Sequence, residues 1–130
     1  MIAEIKTYLE QNGVTDTIYL GFLPATPDTA IALFETAGMP PDPKSQYSTL
    51  GIQVHVRAKQ YNTARTLIYS IYNKLQSFAT SYTTQTMSGT HIVQILAVQN
   101  PYAIGRDDID RPQFTQNYII EYEENLLFRR

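Results

Sequence analysis

The chain has 130 residues, 43% hydrophobic and 17% charged, with 12 acidic and 10 basic side chains, a formal net charge of −2 and no cysteine. That length suits one domain with a real core, and the missing cysteine excludes disulfides, thiolate nucleophiles and thiolate metal sites. The charge balance gives no global basic excess for gripping nucleic acid, and no run approaches the apolar length of a membrane span.

The charged fraction lies below the roughly 25% of an ordinary soluble domain. The surface must therefore be built largely from Thr, Gln, Asn, Ser and the 10 tyrosines. Tyrosine joins flat apolar area to a polar tip and suits both strands and protein contacts. In MIAEIKTYLEQNG, charges interrupt the apolar pattern and no signal-peptide core is visible, so a soluble intracellular origin is expected.

Ile2, Ile5 and Leu9 recur at helical spacing, and Asn12-Gly13 is a fitting stop, which predicts a short amphipathic helix that must dock to be stable. TDTIYLGFL alternates Ile18, Leu20 and Phe22 against Tyr19 and Gly21, as a strand does. PATPDT is a turn set by Pro24 and Pro27. TAIALFETAG gives a second strand. Ala30, Ala32 and Phe34 lie on one side and Ile31, Leu33 and Glu35 on the other, and the apolar character of both sides suggests cover on both faces. The proline-rich stretch at about 38–48 denies donors to any ladder and reads as a loop or arm.

GIQVHVRAK turns Ile52, Val54 and Val56 to the core and Gln53, His55 and Arg57 to solvent or a partner. Asn62 is the expected cap of a long helix with Ala64, Leu67, Ile68, Ile71, Leu75 and Phe78 in one stripe. SYTTQTMSG is a strand or a loop. THIVQILAVQN reads as a strand with Ile92, Leu96 and Val98 opposing Val93, Ile95 and Ala97. NPYAIGRDDIDRPQ is turn-rich, with Gly105 permitting an unusual backbone and Pro112 opening the last strand. In that strand Phe114, Tyr118, Ile120 and Tyr122 share one parity. The order predicts an α+β fold: a two-layer sandwich, a mainly antiparallel sheet with helices packed on one face.

Sites of chemistry are thinly marked. Arg57, Lys59 and Arg65 gather where a strand enters a helix, but without a glycine-rich loop they read as a surface patch rather than an anion pocket. His55 and His91 lie in strand-like runs with no carboxylate or second histidine at ligand spacing, and no serine stands in a nucleophile elbow. The carboxylates Asp107, Asp108 and Asp110 lack the glycine and later glutamate of a calcium loop, and Arg106 and Arg111 can neutralise them; the expected outcome is a turn held by local ion pairs. A small hydrolase using those aspartates and a nucleic-acid-binding module stacking tyrosines on bases remain alternatives of other classes.

DTIYLGFLPATPD, ALFETAGMPPDP, GIQVHVRAKQYNTARTLIYSIYNKLQ and PYAIGRDDIDRPQFTQNYIIEY follow one another in an order that resembles the minor capsid or tail-terminator family of long-tailed bacteriophages. The resemblance covers nearly the whole chain, 1–130, as a single domain. It implies a structural virion protein with no cofactor and no catalytic residue. It further implies a homo-oligomeric ring, usually hexameric, on the head-proximal end of the tail tube, assembled in the host cytoplasm. The partners implied are the tail tube protein and the head-tail connector, with DNA passing through the hole and no membrane involved. Another head-completion or tail component is the alternative within the same apparatus. No short motif of that family fixes individual contacts. The candidates for lumen, tube or subunit contacts are the QVHVR face (Gln53, His55, Arg57), the patch with Lys59 and Arg65, and the charged loop with Arg106, Asp107, Asp108, Asp110 and Arg111.

Overall fold

The computed structural model describes residues 2–36, 47–76, 78, 85–87 and 90–123. In chain order the elements are α1 (Ile2–Gln11), β1 (Ile18–Leu20), β2 (Ala30–Thr36), β3 (Tyr47–Arg57), α2 (Tyr61–Gln76), β4 (Gln85–Met87), β5 (Thr90–Ala97), β6 (Tyr102–Arg106) and β7 (Pro112–Glu123). The seven strands form one sheet in the order β1-β2-β3-β7-β5-β4, with β6 also paired to β7. Only β1 and β2 run parallel; the other pairs are antiparallel. The fold is α+β, as the sequence predicts.

β7 is the spine of the sheet. One side pairs with β3 from Pro112's neighbour Gln113 to Glu123. The other side is shared: β6 takes the start of β7 and β5 takes its second half. The core lies on the face carrying Ile31, Leu33, Ile52, Val54, Val56, Phe114, Tyr118 and Ile120, which cluster with Ile5 and Leu9 of α1 and Ile68, Ile71 and Leu75 of α2. Both helices therefore pack on one face, and period-2 strands meet period-3.6 helices as the apolar spacing requires. α1 ends with the Val14 N–H bonded to the Leu9 carbonyl at 3.0 Å. Its Tyr8 hydroxyl donates to the Lys74 carbonyl at 3.1 Å, and its ring meets Phe78 edge-on at 4.9 Å. Those contacts supply the docking that a ten-residue helix needs.

The α2 stripe is as read from the sequence: Ala64, Ile68, Ile71 and Leu75 are fully buried, with Leu67 packed at their edge. β2 is closed on both sides over its first four residues, Ala30 to Leu33. Five readings need correction or extension. Phe22 lies outside β1 and is exposed, because Gly21 adopts φ +83° and turns the chain out of the strand; only glycine takes that conformation freely. α2 begins at Tyr61, so Asn62 sits inside the first turn rather than at the cap. In β5 the register shifts between Ile92 and Gln94. That bulge puts Ile92 and Ile95 together in the core and leaves Leu96 and Val98 exposed, instead of opposing Ile95 across a regular strand. The turn-rich segment contains a strand, β6, exposed at every position. Finally, β3 starts at Tyr47, within the stretch read as a proline-rich arm; residues 37–46 lie outside the described ones.

The apolar parity of β7 is broken once, by Gln116, which is fully buried. Its Nε2 donates to the carbonyls of Gln99 and Asn117. Those bonds offset the burial of the amide nitrogen and fasten the turn between β5 and β6 to the sheet, while the Gln116 Oε1 is buried without a partner among the described residues.

Candidate functional site

Among the described residues, an organised polar cluster joins two loops at one end of the sheet. The first follows β1 and contains the cis Thr26-Pro27 peptide. The second links β6 to β7. Arg57, at the end of β3, reaches into the first loop, and Arg111, just before β7, ties the two together. They are only 3% and 6% exposed. Arg57, expected to face solvent or a partner, is instead folded inward: its guanidinium donates to the carbonyls of Pro24, Pro27 and Asp28. A planar fork with five donors suits three converging carbonyls in a way a lysine could not. Strand parity assigned Arg57 correctly to the helix-free face and missed that a loop covers this end of it.

Arg111 closes the other side. Its Nε donates to Asp107 Oδ2 at 2.7 Å, and its Nη1 donates to the Ala25 carbonyl at 2.7 Å and meets Asp28 Oδ1 at 3.2 Å. Asp107 Oδ1 also accepts the backbone N–H groups of Ile109 and Arg111, at 3.2 and 2.8 Å. Desolvation by itself would raise the Asp107 carboxyl. The backbone and side-chain bonds from Arg111 together outweigh it and hold the carboxyl below its ordinary value. Arg106 completes the loop, donating to the Asp110 carbonyl at 2.9 Å and pairing with its carboxylate at 3.6 Å. Asp110 takes φ +67° and Gly105 φ +101°. The carboxylate-rich loop is therefore a turn held by local ion pairs, as its sequence suggests. Among the described residues no group of three or more His, Asp or Glu is placed to hold a metal ion.

The remaining candidates fall on other surfaces. Gln53 and His55 stand half-buried on the helix-free face of β3. The His55 ring meets Phe34 edge-on at 5.2 Å, and burial pulls its pKa down. Along the same face, β-pairing brings His55 beside Thr115, Gln53 beside Asn117, and Ile119 beside Leu96. The charged side chains of β3 and β7 on this face lie toward its two ends, the covered Arg57 at one and Glu121 and Glu123 at the other. Lys59 is exposed between β3 and α2. Arg65 is exposed on α2, its guanidinium 4.7 Å from the centre of the Tyr69 ring. His91 lies in β5 opposite Glu123.

Thus Arg57, Asp107 and Arg111 come together, with Arg106 and Asp110 beside them, while Gln53, His55, Lys59 and Arg65 do not join that cluster. Asp108 stands exposed at its tip. Sequence reasoning missed two participants. Asp28 and its neighbouring carbonyls carry no motif; only the prolines marked that loop as fixed. Ile109 lay inside the carboxylate motif but was passed over, although it is the most exposed large apolar side chain among the described residues, at 65%.

The architecture has a counterpart in a solved assembly. A chain of the "Virion of native gene transfer agent (GTA) particle" superposes with a TM-score of 0.71, covering 93% of this chain and 92% of that one at 14% identity. At that identity the likeness concerns the fold. No curated protein sequence matches. The sequence profile described as "Bacteriophage tail terminator protein" matches residues 8–124, from the second half of α1 to the residue that follows β7. The chain belongs to the bacteriophage tail terminator family and is a structural tail protein.

Proposed function

We propose that this protein ends polymerisation of the tail tube. Copies close into a homohexameric ring on the head-proximal end of the tube, block addition of further tube protein, and offer their outer surface to the head-tail connector. DNA passes through the hole without specific binding. The chain acts as one domain, joins the virion in the host cytoplasm and transforms no molecule.

The observation that carries this reading is the family match over residues 8–124. The geometry supports it in two ways. A closed ring of identical copies needs two different patches, one docking on the other. The chain offers unlike surfaces: a helix-free sheet face with Leu96 and Val98 exposed, and a charged loop at its end held by internal hydrogen bonds. A DNA passage also works best without a strongly cationic lining, and the chain carries a net charge of −2.

The test is to assemble tails without the protein and measure them by electron microscopy. Tubes of uncontrolled length are the expected result. Tails of normal length that fail to gain a later component would assign the protein to another position in the head-tail joint. Normal tails that mate with capsids would overturn the reading.

A further inference from the structure

The loop between β6 and β7 is built to project. Asp107, Arg106 and Arg111 fix its backbone from inside, so its tip, Asp108-Ile109-Asp110, needs little further ordering to bind something. Pre-organised contacts of this kind lose less entropy on docking. The tip offers an apolar anchor, Ile109, between two exposed carboxylates. Asp108 has no charged partner among the described residues, and Asp110 has only the exposed Arg106.

A matching surface lies on another part of the molecule. α2 spans Tyr61–Gln76 without a single acidic residue. Its outer side holds a shallow groove lined by Arg65, Thr66, Tyr69, Ser70, Asn73 and Lys74. Arg65 stacks on Tyr69 and has no carboxylate partner among the described residues. From Arg65 to Lys74 the groove runs about 14 Å at helical rise, and a three-residue tip spans at most about 10 Å. The tip therefore fits within the groove, with an acid toward Arg65 and Ile109 against the Tyr69 ring.

We propose that the Asp108-Ile109-Asp110 tip of one copy seats in the α2 groove of the next copy and sets the register between neighbouring subunits. The pairing is heterologous, as a ring demands, and it rests on the ring reading above. A stable interface needs about 800 Å² from each partner, so the tip orients a larger contact, the role that complementary charge plays best.

The chain has no cysteine, so introduced thiols report cleanly. Asp108→Cys and Arg65→Cys are made separately, mixed and joined with a short bis-maleimide cross-linker, both as concentrated protein and on assembled tails. An Asp–Arg ion pair holds its Cα atoms farther apart than the roughly 7 Å of a direct disulfide, and the linker spans that gap. The expected result is covalent dimers in the mixture and far fewer with either variant alone. In parallel, Asp108→Lys or Arg65→Glu weakens self-association by roughly tenfold or more, and the double variant recovers it. Both positions are exposed, so folding is spared. Rings of normal mass without the mixed cross-link, or a double variant no better than the singles, overturn the inference and leave the ring reading standing. A protein that never self-associates, concentrated or on tails, overturns both.

Discussion

Arg57→Ala should be among the most damaging single changes to the fold, although the residue stands in a run that reads as half solvent-facing. The guanidinium donates three bonds to carbonyls of one loop. Bonds from a charged donor contribute about 1.5–3 kcal/mol each when the acceptor is lost from water. These acceptors lie on a surface loop and regain hydration, so about 1 kcal/mol apiece is the better figure. The aliphatic stem is buried too, at 3% exposure for the whole residue, and its removal adds roughly 1 kcal/mol. The total is roughly 3–4 kcal/mol. In urea, with a slope of about 2 kcal/mol/M, the midpoint should fall by about 1.5–2 M. Thermal melting should drop by roughly 10 °C. Arg57→Lys keeps the charge but not the fork, and should recover less than half. Limited proteolysis should also open the chain near Pro24–Asp28 in the alanine variant and spare the parent. A midpoint for Arg57→Ala within about 0.5 M of the parent, with the loop still protected, would refute the assignment of Arg57 as the fastening of that loop.

Other expectations follow from the same packing. Ile71→Ala removes a fully buried side chain and should cost roughly 2–5 kcal/mol by urea titration. The bulge in β5 predicts an inversion between neighbours: Ile95→Ala should cost about 2 kcal/mol or more, and Leu96→Ala less than about 1 kcal/mol; equal costs would mean a regular strand. Asp107 has a depressed pKa in the folded chain, so its stabilisation is complete above the ordinary carboxyl value of 3.8 and is lost as pH falls through its lower folded value. Proteolysis of the β6–β7 loop should therefore accelerate only below about pH 4. His55 shows the corresponding behaviour of a base: burial lowers its pKa, so stability should decline as pH drops below about 6.5, and an NMR titration should find its midpoint below that of a free histidine.

Much of the fold is legible in the sequence where one face is buried and the other is not. The spacing of Ile52, Val54 and Val56, of Phe114, Tyr118 and Ile120, and of Ile68, Ile71 and Leu75 predicts their burial. Legibility fails where that contrast is missing. β6 is exposed along its whole length, so no alternation marks it. The bulge at Val93 flips the parity of everything after it, and a one-residue insertion leaves no local signature. The charged loop shows both sides. Its ion pairs are readable from the order of aspartates and arginines, yet the reach of Arg111 to Asp28, 83 residues away, depends on which loops the sheet brings to one end. Long-range partners of that kind are set by topology rather than by neighbouring residues.

The position of β7 in the sheet has a consequence for synthesis. It is translated after every strand that it joins, and until it appears β3, β5 and β6 have no common neighbour. A nascent chain that has made the two helices and six strands still holds three unjoined pieces: β1-β2-β3, β4-β5 and β6 alone. Cooperative closure of the sheet waits for its final twelve residues, and such long-range pairing is intrinsically slow. Truncated or stalled products therefore lack a completed subunit surface, and only finished copies can compete for a place in the particle.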